Sequence, residues 1–293
     1  MRLLLLLTGL LLALVALAAE ARMHHPYRGH RITAAGGTPP LDAFAAPSGA
    51  YGFRKLKSTY SGPAIRIRRA SDNAEIDVNF LGFTGFTGAP WDAVAATAHC
   101  AATTCWGRTW YDQSGNARDL NQATAANQPQ LIFNCNGSLP CWRFTATTQA
   151  MQGASFTPAT QITTLNVVAN RSAGTSAGGT FIRSNGSFSR LQPSSANLWS
   201  VGTGPVTATA TDTVWHSAIG VMVTTAGASV LRIDDVETAG TTTPVLTAGA
   251  PGVIGFTGST LDVAEGVFWD GYQLTPAERA ALVANQRSYG LIP

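Results

Sequence analysis

The chain has 293 residues, a formal net charge of +3 and only 12% charged residues, against the usual quarter. Its basic residues are spread out, so nothing supports a nucleic-acid partner. The length suits one large β-domain or two small ones, and the low charge fits a rigid exported protein with a hydroxyl- and amide-rich surface.

Residues 1–21 carry Arg2, an apolar run from Leu3 to Leu17 and then small residues. This predicts a secretory signal peptide, with an N-terminal membrane anchor as the rival that the shortness of the run disfavours. The expected location is secreted or periplasmic, with no membrane span after signal cleavage. Residues 22–48 mix Gly, Pro and Ala without an apolar period and read as a flexible linker or arm. His24, His25 and His30 lie there without carboxylates or cysteines, and read as exposed side chains rather than metal ligands.

Residues 49–293 read as one β-domain. AIRIRR alternates, with Ile65 and Ile67 on one face and Arg66 and Arg68 on a solvated other face, and SDNAE follows as a turn. TTLNVVANR and TVWHSAIGVMVTT are β-branched runs. SVLRIDDVE reaches a tight Asp234-Asp235 turn, and GVIGFTG and DVAEGVFWDG supply the last strands. Many short strands with regular turn signals predict a sandwich or jelly roll. One helix is signalled at the C-terminus: Thr275 as N-cap, Pro276 at the first helical position, Glu278 closing a capping box and Gly290 as the stop. Such a helix is expected across a sheet edge. GFTG occurs in tandem at 82–88 and again at 255–258 without a domain-scale period. Asn136, Asn170 and Asn185 open glycosylation-type triplets.

The four cysteines form two close pairs, Cys100/Cys105 and Cys135/Cys141. In an exported chain two local disulfides are the economical reading, although four cysteines allow three connectivities. A four-thiolate zinc site is the rival, and its usual two-residue spacings are missing.

The richest polar stretch is WYDQSGNARDLNQAT, residues 110–124. Asp112 and Asn116 can bond backbone amides, Gly115 permits positive φ, and Trp110 and Tyr111 can wedge between sheets. A structural turn is the first reading. A sugar-contacting loop built from Trp110, Tyr111, Asp112 and Asn116 is the second.

Two resemblances rest on these motifs. YSGPAIRIRRASDNAEIDV and HCAATTCWGRTWYDQSGNARDLNQAT resemble the catalytic domain of family 54 α-L-arabinofuranosidases, the arabinofuranosidase B type. The resemblance implies a Cys100–Cys105 disulfide, a concanavalin A-like β-sandwich and hydrolysis of terminal arabinofuranosyl residues of polysaccharides. VWHSAIGVMVTTAGASVLRIDDVE and AEGVFWDGYQLTPAERAALVANQRSYGL are similar to laminin-G-like jelly rolls that close on a short helix. Together they imply an all-β concanavalin A-like sandwich (jelly roll) with one short C-terminal helix.

A retaining glycosidase needs two neighbouring carboxyl groups, one nucleophile and one acid/base. The resemblance implies an acid/base Asp after a Gly-rich strand near the C-terminus, where GFTGSTLD leads to Asp262, with Glu265 and Asp270 beyond it. Asp262 and Glu265 are the catalytic candidates. The implied mid-domain nucleophile has no counterpart: no Asp or Glu lies between Asp119 and Asp212, and LQPSSANLWS carries Ser194 and Ser195 instead. The adjacent Cys-Cys pair of that family is absent too. The bland reading of Asp262 is a loop carboxylate, and that of Asp234, Asp235 and Glu237 a hairpin turn. A Ser-His-Asp triad through His216 lacks a Gly-x-Ser-x-Gly elbow. No cofactor is expected; calcium would need converging Asp, Asn and carbonyl groups, and no Asp-x-Asp-x-Asp run marks such a site. The expected partner is a polysaccharide or glycan. Two functions are consistent with the residues: an arabinofuranosidase-type hydrolase, or a non-catalytic glycan-binding or surface or phage-type structural module.

Overall fold

The computed structural model describes residues 39–81, 89–157, 160–172, 180–184, 189–202, 206–225, 227–242, 250–255 and 260–293. Residues 1–38, the 82–88 tandem, Asn185 and residues 256–259 lie outside the described residues. In chain order the strands are β1 (Gly49–Gly52), β2 (Ile65–Arg69), β3 (Glu75–Val78), β4 (Cys105–Trp110), β5 (Leu120–Asn121) and β6 (Gln130–Asn136). There follow β7 (Leu139–Phe144), β8 (Ala150–Phe156), β9 (Thr163–Arg171), β10 (Ile182–Arg183), β11 (Arg190–Ser195) and β12 (Leu198–Val201). The last six are β13 (Val206–Thr209), β14 (Trp215–Met222), β15 (Ser229–Ile233), β16 (Val236–Gly240), β17 (Ala250–Gly255) and β18 (Leu261–Asp270). The pairings between them are antiparallel.

The architecture is an all-β sandwich of the concanavalin A-like type, and β9 is its spine. It pairs with β14 on one side and β18 on the other. Its β-branched and apolar residues suit a strand covered on both faces. Leu165, Val167 and Ala169 point into the main core with Trp110, Trp142 and Phe53, whereas Val168 joins a second core with Leu282 and Val283 of the C-terminal helix. Ile65 and Ile67 are fully buried in the main core, as their alternation requires. The Asp234-Asp235 turn joins β15 to β16, with Asp234 at φ 51°.

The C-terminal helix spans Pro276–Ser288 and begins with a complete capping box. Glu278 N donates to Thr275 Oγ1 at 3.3 Å, and Thr275 N donates to Glu278 Oε2 at 2.7 Å. Such a cap contributes about 1 kcal/mol. Gly290 at φ +84° ends the last turn. The helix does not lie across a sheet edge. It covers a face, because Gln286 reaches Asn166 of β9, Ser217 of β14 and Glu265 of β18 at once. Burying Leu282 and Val283 there stabilises the seam by roughly 1.5–3 kcal/mol each.

Two local features depart from the sequence expectation. Residues 40–48 are not arm-like: Pro40–Ala43 form a 3-10 turn, Leu41 is fully buried, and Leu41 N donates to Leu56 O at 3.0 Å. A second helix, Ala93–His99, has no signal in the apolar period because Ala96 is its only buried residue. Its one signal is Asp92, whose Oδ1 accepts from Ala95 N at 3.0 Å. Both disulfides form, Cys100–Cys105 and Cys135–Cys141, which removes the thiolates that a zinc site would need.

Candidate functional site

The 110–124 stretch follows β4 and folds back as a tight loop. Asp112 is its hub. Its Oδ1 accepts from Ala50 N at 2.9 Å and Ser114 N at 2.8 Å, and its Oδ2 accepts from Arg118 N at 3.0 Å and Ser114 Oγ at 2.7 Å. Gln113 is equally occupied: Oε1 accepts from Leu56 N at 2.7 Å, while Nε2 donates to Gly52 O and Arg54 O. Asn116 Nδ2 donates to Pro47 O at 3.0 Å. Gly115 sits at φ +92° with open space around it, a conformation in which a side chain would be strained. Trp110 is fully buried against Phe53 and Trp142, so its ring is closed to a sugar. Tyr111 is half-exposed and donates to Asp77 Oδ1 at 2.6 Å. The loop thus ties the 47–56 segment to the sandwich, and of the four proposed sugar contacts Trp110 and Asp112 are inaccessible.

Asp262 and Glu265 come from one strand, but a bulge between Val263 and Glu265 changes their relation. In an unbroken strand a three-residue spacing would place them on opposite faces. Here they pair with Asn170 and Val168, two residues apart on β9, and so share the helix-covered face. Each is held by its own arginine. Arg143 Nε and Nη2 donate to Asp262 Oδ1 and Oδ2 at 2.7 and 2.8 Å. Arg54 Nε and Nη2 donate to Glu265 Oε2 and Oε1 at 2.7 and 3.2 Å. Glu265 is 1% exposed and also accepts from Gln286 Nε2 at 2.8 Å. It lies in the seam between sheet and helix, out of reach of a substrate. Asp262 lies beside the Cys135–Cys141 bridge, its carboxylate within 4.8 Å of both sulfurs; oxidised sulfurs do not make this trio a thiolate metal site.

The remaining carboxylates divide by environment. Asp77 is held below the usual carboxylate range by its bidentate bond to Arg66, and Glu237 by Arg279 and then Arg232. Asp119 and Asp270 are pushed up, both chiefly by burial. Asp270 Oδ1 accepts from Thr163 Oγ1 at 2.8 Å, its backbone N donates to Ser48 Oγ at 3.0 Å, and its Oδ2 is buried with no hydrogen-bond partner. Ser184, Thr163 and Arg118 oppose the shift without cancelling it.

A surface groove of ≈ 590 Å³ is lined by His216, Asp234, Asp235 and Arg287 among others. His216 Nδ1 meets Asp234 Oδ2 at 2.7 Å, and Nε2 meets Thr211 O at 3.1 Å. Both ring nitrogens face oxygens that accept, an arrangement that favours the doubly protonated ring. Burial pulls its pKa down, but the hydrogen bond and charge of Asp234 raise it further, and the net shift is upward. Neither nitrogen is left to deprotonate a serine, which removes the triad reading.

With this geometry established, the relatives of the chain can be compared. The sequence family described as "Alpha-L-arabinofuranosidase B, catalytic" matches residues 31–134. The chain is 39% identical over 92 residues to Alpha-L-arabinofuranosidase B of Emericella nidulans, and 37% identical over 92 residues to Alpha-L-arabinofuranosidase of Hypocrea jecorina. In each case the match covers 31% of this chain and 16% of the relative. Among solved structures, an arabinofuranosidase complexed with arabinofuranosyl-alpha-1,2-xylobiose superposes with TM-score 0.61 at 16% identity, covering 85% of this chain and 64% of that one. A family 54 α-L-arabinofuranosidase soaked with a cyclic sulfate inhibitor gives TM-score 0.61 at 17% identity, covering 87% and 65%. The chain therefore spans less than two thirds of the proteins that it resembles, and the structural likeness establishes the sandwich fold. The sequence likeness coincides with the Asp112-centred loop and the Cys100–Cys105 disulfide. No helix among the described residues is long and apolar enough to cross a membrane.

Proposed function

We propose that this is an exported, carbohydrate-directed domain of arabinofuranosidase type that removes terminal arabinofuranosyl groups from polysaccharide. The observation that carries this reading is the match of residues 31–134 to the arabinofuranosidase B catalytic family, joined to the same sandwich fold over most of the chain. The two disulfides suit an oxidising compartment.

Glycoside cleavage needs a carboxylic acid that is still protonated near neutral pH. Asp262 and Glu265 each hold both oxygens against an arginine, so neither keeps an oxygen free for a substrate. Asp270 is pushed upward by burial and keeps one oxygen without a hydrogen-bond partner. It is the described carboxyl group best suited to donate a proton.

The test is hydrolysis of p-nitrophenyl α-L-arabinofuranoside by the purified chain, beside Asp262→Asn, Glu265→Gln and Asp270→Asn, each checked for a native melt. Expected are turnover above a blank and a loss of about 10²-fold or more in Asp270→Asn, with Asp262→Asn retaining activity. No turnover, with glycan binding retained, would sink the hydrolase reading and leave a binding module.

A further inference from the structure

Arg183 and Arg190 are direct cross-strand partners in the short β10–β11 pair. Like charges placed opposite one another destabilise a sheet unless something lies between them. Both residues are half-buried, and the Nε atom of each is shut off from solvent with no hydrogen-bond partner. Among the described residues neither guanidinium meets a carboxylate. In the sequence no Asp or Glu lies between Asp119 and Asp212. Burial pulls both guanidinium pKa values down, and Arg190 adds to that effect on Arg183. The other arginines with buried heads show the contrast. Arg54 has Glu265, Arg171 has Asp212 and Arg279 has Glu237.

The polarity of this face continues along the sheet. Gln192 lies two residues beyond Arg190 and pairs with Ser200 of β12, so all four side chains project from one face. Ile182, Leu191, Trp199 and Val201 alternate with them into the main core. Gln192 Nε2 donates to Gly202 O at 3.1 Å, but its Oε1 is buried without a partner, as is Ser200 Oγ. The row therefore combines two donor forks with an idle acceptor and an idle hydroxyl.

We propose that Arg183, Arg190 and Gln192, backed by the fully buried Ser200, form an anion-recognising subsite that takes the carboxylate of an acidic sugar. Guanidinium groups bind a carboxylate side-on through Nε and one Nη, which would satisfy the two orphaned Nε atoms after a small rotation of each long side chain. Gln192 Oε1 accepts only, so it requires a ligand that also carries O–H groups. A uronic acid has both functions. A bare sulfate or phosphate dianion has no hydrogen to give to Gln192. The carbohydrate part of this inference rests on the arabinofuranosidase-type reading; the anion part stands on the arginine pair alone.

The experiment is affinity electrophoresis of the full chain through gels containing de-esterified polygalacturonate, fully methyl-esterified polygalacturonate, dextran sulfate or neutral arabinan. The variants are Arg183→Gln, Arg190→Gln and Gln192→Leu, with Arg69→Gln as a charge-matched control at an exposed arginine already paired with Asp72. Expected is retardation by the free-acid polymer that the methyl ester abolishes. Affinity should fall about tenfold or more in either subsite arginine variant and stay unchanged in Arg69→Gln. Relief of like-charge repulsion should also leave the melting temperature of Arg183→Gln equal to or above that of the parent. Equal retardation by ester and acid, or an unchanged affinity in both arginine variants, would overturn the subsite. Stronger retardation by dextran sulfate, with Gln192→Leu unaffected, would overturn the acidic-sugar assignment. Hydrolysis of the neutral nitrophenyl arabinofuranoside, read on the same samples, registers failure of the hydrolase reading separately.

Discussion

Arg54 and Glu265 stand 211 residues apart in sequence, yet Arg54 Nε donates to Glu265 Oε2 at 2.7 Å with both side chains 2% exposed or less. The pair joins the segment after β1 to the centre of β18. Arg54 Nη1 extends the link to Asn285 Oδ1 at 2.7 Å, and its guanidinium lies 4.6 Å from the Tyr289 ring centroid. The C-terminal helix is thus locked to the sandwich through one buried charge pair and its amide neighbours.

Removing one member of this pair strands the other. Glu265→Ala is expected to lower unfolding stability by roughly 3–5 kcal/mol. Glu265→Leu combined with Arg54→Met should recover much of that loss, because no charge is then left buried. Urea unfolding of the three variants measures both; a double variant no better than the single would mean that the pair is not a coupled unit.

Asp112 satisfies backbone donors of three residues, Ala50, Ser114 and Arg118. Asp112→Ala leaves Ala50 N without this acceptor in the interior, and each such orphan costs about 1–3 kcal/mol. The expected result is a lower melting temperature and faster amide exchange at Ala50, read by hydrogen–deuterium exchange. Asn116→Ala, at the exposed end of the loop, should have a smaller effect.

The His216–Asp234 contact makes stability depend on pH. The folded-state pKa of His216 lies above the unfolded value, so the folded state binds the proton more tightly. The contribution is then fully present below the unfolded value of about 6.5 and fades as pH rises through the folded-state value. Compared with Asp234→Asn, the parent should hold its largest advantage near about pH 5.5 and a smaller one near about pH 9. Asp234 also accepts from Ser217 N at 2.9 Å, so part of the advantage survives at high pH. An advantage that grew with pH would contradict the imidazolium assignment.

Both disulfides close short loops, with sequence separations of 5 and 6. The chain-entropy account gives about 2 kcal/mol for loops of this size. Reduction, or a Cys135→Ser/Cys141→Ser double variant, should lower the urea midpoint without unfolding the sandwich at room temperature. Collapse to an unfolded chain would mean that the bridge also holds Arg143 and Asp262 in place.

Much of the fold was legible because its causes are local. Alternation placed Ile65 and Ile67 in the core, β-branched runs gave β9 and β14, and Thr275, Pro276, Glu278 and Gly290 bounded the helix within about one turn. The turn chemistry of Asp112, Gly115 and Asn116 was equally readable, since the Asp112 and Asn116 side chains bond the loop's own backbone and the segment at β1, and Gly115 supplies the positive φ. The short helix Ala93–His99 was not, because with one buried residue it has no apolar stripe to detect.

The sequence by itself determined the strand-rich composition and the family resemblance, and it made two local disulfides the economical reading; these depend on residue type and short spacing. Only the tertiary structure decided what each charge meets. The bulge in β18 brought Asp262 and Glu265 to one face and gave each an arginine from a distant strand or loop. The β10–β11 register set Arg183 against Arg190 with no counter-charge among the described residues. The physical reason is range: hydrophobic period and capping act over a few residues, whereas an ion pair depends on which distant strands the fold makes neighbours.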